Sequence, residues 1–239
     1  MGSSSLNAVH NTTQHDLTSD IARLDIGAVR SRLLNTQKNF DQINKTLTVK
    51  RTPPSNEVIE NLIAGYAKID FYLANGIELF AMGNSHLLLE LNHIVLYHTS
   101  SISKEESQHQ FEATKAHFYA ARNGGIGQLM DWLALNQNTN IWKRTAGLFT
   151  NILSQPQLFL EGNHRTGSLI MSYLLMSEGY QPFVLSYDNA RHFFEPAELT
   201  KKRRKKSLVD DFIYLPKQTR KFAKLLKDEQ KRQSFLQTS

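Results

Sequence analysis

Apolar side chains recur at three- and four-residue intervals along most of this chain, and that spacing limits its fold more than any other feature. In NEVIENLIAGYAKIDFYL, the residues Val58, Ile59, Leu62, Ile63, Tyr66 and Ile69 fall on one face of a helix, so the segment must dock that face on a core. Pro53-Pro54 interrupts the pattern before it, and Ser55 offers an N-cap oxygen. With 12 Gly and 6 Pro in 239 residues, the chain lacks the frequent turn signals of a β-sandwich or barrel. The expected fold class is all-α, in one folded unit.

The same reading divides the chain. Residues 1–17 are polar and aperiodic and are expected to form a leader. Ser19-Asp20 is expected to cap a helix that begins DIARL, and Val29, Leu33, Leu34, Phe40 and Ile43 continue the helical spacing, giving an N-terminal helical extension over 18–50. A main helical domain follows over 51–200. Within it HLLLELNHIVLYH, entered by a turn at Gly83-Asn84-Ser85, is apolar on nearly every side and is expected to be central. Ser103 caps KEESQHQFEATKAHFYAA, which Asn123-Gly124-Gly125 ends. The polar stretch Asn136–Asn140 separates IGQLMDWLAL from IWKRTAGLFTNIL, and PFVLSY reads as a short strand. Residues 201–239 form a basic C-terminal segment with a helix around KFAKLL.

The absence of cysteine excludes disulfides, thiolate zinc sites and cysteine nucleophiles. No apolar run reaches the roughly 18 residues of a spanning helix. The N-terminus lacks the basic-then-apolar order of a signal peptide, and Leu6 stands where myristoylation favours Ser or Thr. The expected location is the cytoplasm, reached by synthesis there or by delivery as an effector. The net charge of +6 is uneven, because 13 Lys and Arg against 4 Asp and Glu lie from Lys201 onward while the first 200 residues are slightly acidic. The run Lys201–Lys206 reads as a solvated segment or, functionally, as a weak contact to nucleic acid or an anionic surface; no aromatic residue interleaves with it to stack bases.

Chemistry concentrates in QLFLEGNHRTGSLIMSYLLMSEGY. A small-residue turn runs straight into Leu169, Ile170, Leu174 and Leu175 at helical spacing, which places Gly162–Thr166 at a helix N-terminus. The first amides of a helix lack partners and stand at the positive end of its dipole, so this turn suits a phosphate. Gly162 lets the backbone approach the ligand, Asn163 can order the turn, and Arg165 can give a forked, charge-assisted contact. Glu161 could hold a Mg²⁺ that bridges to the phosphates. An ordinary capped helix explains the same letters.

The segment Gln157-Leu158-Phe159-Leu160-Glu161-Gly162-Asn163-His164-Arg165 resembles the motif of the Fic family, His-Pro-Phe-x-Asp/Glu-Gly-Asn-Gly/Lys-Arg-x-x-Arg, and the likeness covers roughly residues 85–190. The resemblance implies an all-α Fic-like bundle over 51–200, carrying the N-terminal extension and the basic C-terminal helix. It implies transfer of AMP, or another nucleotide or phosphate-linked group, from ATP or a similar donor to a hydroxyl of a target protein. It assigns Gln157 and Arg165 to catalytic positions, Gly162, Asn163, His164, Arg165 and Thr166 to the nucleotide and Glu161 to Mg²⁺. Two departures stand out. Gln157 occupies the position of the family's proton-accepting histidine, and an amide is no general base near neutral pH. Ser168 replaces the last arginine, which the resemblance would assign to the terminal phosphate.

Three readings follow. One is a transferase that works without the usual base. A second is a non-catalytic relative that keeps the pocket as a ligand sensor or partner-binding surface, and a third is a nucleic-acid-associated regulator acting through its tail. A target protein and a second copy of the chain are the macromolecular partners these readings allow. His164 stands where the family has Gly or Lys and reads either as a phosphate contact or substitute acid or base, or as a polar residue tolerated at a helix start. Asn56-Glu57-Val58-Ile59-Glu60-Asn61 resembles the family's inhibitory helix, though a plain amphipathic helix accounts for it. His86, His93 and His98 are expected to be structural, as is Asn189–Phe194, and Trp132 and Trp142 to anchor the core. The chain between His117 and Gly125 is short for the family's target-aligning flap.

Overall fold

In the computed structural model, which describes residues 23–120, 125–205, 207–232 and 234–237, the fold is all-α. The described helices are α1 (Ile26–Lys38), α2 (Phe40–Thr46), α3 (Asn56–Ala74), α4 (Ser85–Tyr97), α5 (Lys104–Phe118), α6 (Ile126–Leu135), α7 (Ile141–Leu153), α8 (Asn163–Met176), α9 (Ala190–Lys201) and α10 (Leu215–Glu229). A single π-helical turn, Asp210–Tyr214, leads into α10. No strand forms among the described residues, and none of their helices is long and apolar enough to cross a membrane.

Local chemistry sets several boundaries. Ser55 and Ser103 accept hydrogen bonds from Val58 N and Glu106 N, capping α3 and α5 as their sequences indicate. Asn140 caps α7 through Lys143 N. The expected cap at Ser19-Asp20 lies outside the described residues. The helix expected from DIARL does not include Arg23 or Leu24; α1 starts at Ile26, capped by Asp25 accepting from Ala28 N. Long-range pairing explains the shift. Leu24 forms a β-bridge with Leu236, Asp25 N donates to the Phe235 carbonyl at 2.6 Å, and the buried Asp70 carboxylate accepts from Leu24 N and from Arg23.

Helix α8 is the axis of the molecule. Every residue from Thr166 to Met176 is buried, between α3, α4 and α7. That depth requires close helix approach. A Cβ on Gly65 of α3 would stand 2.3 Å from Leu169 Cδ1, so only glycine lets the two helices meet there. On the far side, Phe149 of α7, Phe193 of α9 and Phe222 of α10 stack or meet edge-on in a second apolar cluster.

PFVLSY is buried from Pro182 to Val184, yet it pairs with no strand. Its carbonyls are taken by side chains instead. Tyr66 and Ser172 donate to the Phe183 carbonyl, Asn189 to that of Val184 and Thr36 to that of Leu185. Its expected strand is thus replaced by an irregular connector held by side chains of α1, α3 and α8 and by Asn189.

Candidate anion site at the start of α8

The turn before α8 is built from three interlocking constraints. Gly162 adopts φ +76°, a left-handed conformation that L side chains rarely occupy, and a Cβ there would also meet Asn92 Nδ2 at 2.9 Å. Asn163 Oδ1 accepts from Phe159 N at 2.9 Å, and its Nδ2 donates to the Phe159 carbonyl at 2.7 Å. From α4, the buried Asn92 donates to the Glu161 carbonyl at 2.9 Å and to Thr166 Oγ1 at 3.0 Å. Backbone chirality, a side-chain clamp and a strut from a neighbouring helix all specify one loop shape.

No side chain caps α8, which leaves the positive end of its dipole open. Outside it lies a recess of about 200 Å³ lined by Gln157, Leu160, Glu161, Gly162, Asn163, His164, Arg165 and Lys201. Arg165 donates from Nη1 to the Val95 carbonyl at 3.0 Å and approaches Glu161 Oε1 at 3.3 Å. Burial lowers its guanidinium pKa, opposed chiefly by Glu161. The Glu161 carboxylate is 71% exposed. It is the one acidic side chain lining the recess, and metal-binding clusters of three or more His, Cys, Asp or Glu are absent among the described residues.

His164 is the site's least satisfied group. The residue is partly exposed, but its Nε2 is sealed from solvent and has no hydrogen-bond partner among the described residues. Burial, reinforced by the charges of Arg51, Lys201 and Arg165, pulls the imidazole pKa down to about 3. The ring is therefore neutral at physiological pH and a weak base. Gln157 also offers no base. Its Nε2 donates to the Leu153 carbonyl at 3.1 Å, its Oε1 lies 3.5 Å from Asn163 Nδ2, and its backbone carbonyl accepts from His117 Nε2 at 2.8 Å.

Six of the seven residues singled out in the motif thus line one recess. The seventh does not: Thr166 is fully buried behind the turn, its hydroxyl on Asn92 and its amide on the Gly162 carbonyl. Ser168 faces inward as well, donating to the His164 carbonyl at 2.8 Å. Two contributors escaped the sequence reading. Asn92 left a legible trace, an amide within a helix that is apolar on nearly every side. Lys201 was hidden in the basic run, whose described residues 201–205 are folded and not simply solvated: Gln155 N donates to the Arg203 carbonyl and Lys205 N to the Gln155 carbonyl, stitching them to the chain just before the motif. Lys205 is buried, which lowers its ammonium pKa to about 8. Arg203 lies over Tyr214 and pairs with Asp210.

The inhibitory-helix resemblance finds Glu60 of α3 in a two-point ion pair with Arg30 of α1, and Glu57 exposed. His93 packs edge-on against Phe111, and His86 bonds the Gly83 carbonyl. Trp132 fills the space over Gly147, while Trp142 packs on Tyr180. No protein-family model, curated protein or solved structure matches this chain.

Proposed function

We propose that this protein is a binding module for a phosphate-bearing ligand, a Fic-like site that holds its anion without transferring it. The observation that carries this reading is the uncapped N-terminus of α8 opening on a recess flanked by Arg165, Lys201 and the sealed, unpartnered His164. The open end of the backbone dipole and two cationic side chains border one small volume. The resemblance of Phe159–Arg165 to the Fic motif supports the same reading.

Transfer of AMP or a similar group to a protein hydroxyl requires a group that accepts the hydroxyl proton. Catalytic bases work best with a pKa near the operating pH. Gln157 is an amide tied to backbone, and burial leaves His164 far too weak a base. Binding survives these losses; transfer does not. A Mg²⁺ accompanying the ligand would be held by Glu161, with water and ligand oxygens as its remaining partners, and would add charge neutralisation.

Titration of ATP with Mg²⁺, ADP and inorganic phosphate into the protein and into Arg165→Ala, beside a labelled-donor transfer assay on cell lysate, tests the reading. Binding of a phosphate-bearing ligand that weakens in Arg165→Ala, with no labelled protein band, is the expected result. A labelled band would replace the module with a transferase. Absence of any binding would leave the turn as a helix start and nothing more.

A further inference from the structure

His164 and Arg165 line a second, larger space on the other side of the turn. It measures about 510 Å³ and lies between the α1–α3 layer and α8–α9. Phe40, Val58, Ile59, Leu62, Leu185 and Phe193 supply apolar walls. Its volume is within the range of small-molecule sites.

The buried hydroxyls in those walls already donate to backbone carbonyls. Tyr66 donates to the Phe183 carbonyl at 2.6 Å, Thr36 to the carbonyls of Arg32 and Leu185, and Ser168 to that of His164. Ser55 Oγ accepts from Val58 N in the α3 cap. A ribose or the hydrogen-bonding edge of a base placed deep here would find few free donors, those left being Arg51 and the exposed Thr52 and Ser55, and unsatisfied polar atoms in such a site are costly. Charge enters only at the margins. Arg51 lies 4.5 Å over the Phe194 ring with one contact to Glu198, and Arg165 and His164 stand at the boundary with the recess.

We propose that the cavity receives the apolar body of a small amphipathic anion, an aryl or branched alkyl group whose phosphate-like head sits in the recess at the start of α8. This rests on the anion-binding reading above and names the ligand's class: not a nucleoside triphosphate, whose sugar and base do not suit these walls. His164 and Arg165 line both spaces, so one ligand can reach from the recess into the cavity along them.

The test compares 1-naphthyl phosphate, 1-naphthol, inorganic phosphate and ATP by calorimetric titration into the full chain and into Leu62→Trp, which places a larger side chain in the cavity. Circular dichroism confirms that the variant folds; the wild-type comparison stands without it. The expected result is naphthyl phosphate binding about tenfold tighter than phosphate, as burial of an aromatic body implies, with the advantage reduced to about threefold or less in Leu62→Trp. Equal binding of naphthyl phosphate and phosphate overturns the cavity proposal and leaves the anion site standing. Equal binding of naphthol and naphthyl phosphate overturns the linked head and counts against the anion site itself. ATP binding tighter than naphthyl phosphate assigns the site to nucleotides and overturns the proposal, and failure of both phosphates to bind removes both readings.

Discussion

Asn163 holds Phe159 by both of its backbone polar atoms, accepting from the amide and donating to the carbonyl four residues back in the chain. One carboxamide thereby does for the turn what a strand partner does for an extended segment, and it keeps Phe159 buried and stacked on Phe118. Asn163→Ala leaves both Phe159 groups buried without that partner. Urea denaturation is expected to show a loss of about 2–3 kcal/mol, the combined effect of two buried hydrogen bonds. A loss below about 0.5 kcal/mol would mean that water replaces the clamp.

Gly162 is expected to tolerate no side chain. Gly162→Ala must strain a left-handed backbone and push aside Asn92, the strut from α4. A destabilisation of about 1–3 kcal/mol follows from the conformation, together with loss of phosphate affinity. Gly76 also has positive φ but open space for a Cβ, so Gly76→Ala provides the control that separates backbone strain from displacement of Asn92.

Stability should fall on mild acidification through His164. Its folded pKa, about 3, lies below the ordinary value of 6.5 that applies when the chain unfolds. Between those values the unfolded chain binds a proton that the folded chain refuses, so stability rises with pH across the window from about 3 to 6.5. At pH 5 the deficit relative to pH 7.5 is expected to be about 2 kcal/mol from this residue. Thermal melts of the protein and of His164→Gln at both pH values read it directly: the variant should lose that share of the pH dependence, and identical slopes would count against a buried neutral ring.

Lys201 and Lys202 both pair with Glu198, but Lys201 alone of the two lines the recess. Phosphate affinity is expected to drop roughly three- to tenfold in Lys201→Ala, the worth of one partly screened cation contact, and to hold in Lys202→Ala. Equal losses in both variants would show that general positive charge, not the recess, attracts the anion.

The helices were legible because their signals are local. Ser55, Ser103 and Asn140 mark α3, α5 and α7 by cap chemistry that operates within three residues. The start of α8 was legible for the same reason: Gly162 and the apolar spacing after it are contiguous. What escaped depends on partners far along the chain. The beginning of α1 is displaced by a bridge to Leu236, PFVLSY is held by side chains from α1, α3 and α8, and the basic run is folded onto Gln155. Hydrophobic periodicity carries no information about such pairings. The cavity beside His164 was equally hidden, since it is bounded by residues as distant as Leu33 and Phe194.

The pairing of Leu24 with Leu236 has a consequence for biosynthesis. The segment leading into α1 leaves the ribosome before the backbone groups it bonds to, which are made some 210 residues later. Until they emerge, Asp70 alone holds Leu24 and Arg23, and the first helix waits on an incomplete seam. Closing so large a loop carries a high entropic barrier and comes late. The joining of Leu24 and Asp25 to Phe235 and Leu236 is therefore expected to come after α10 has been translated.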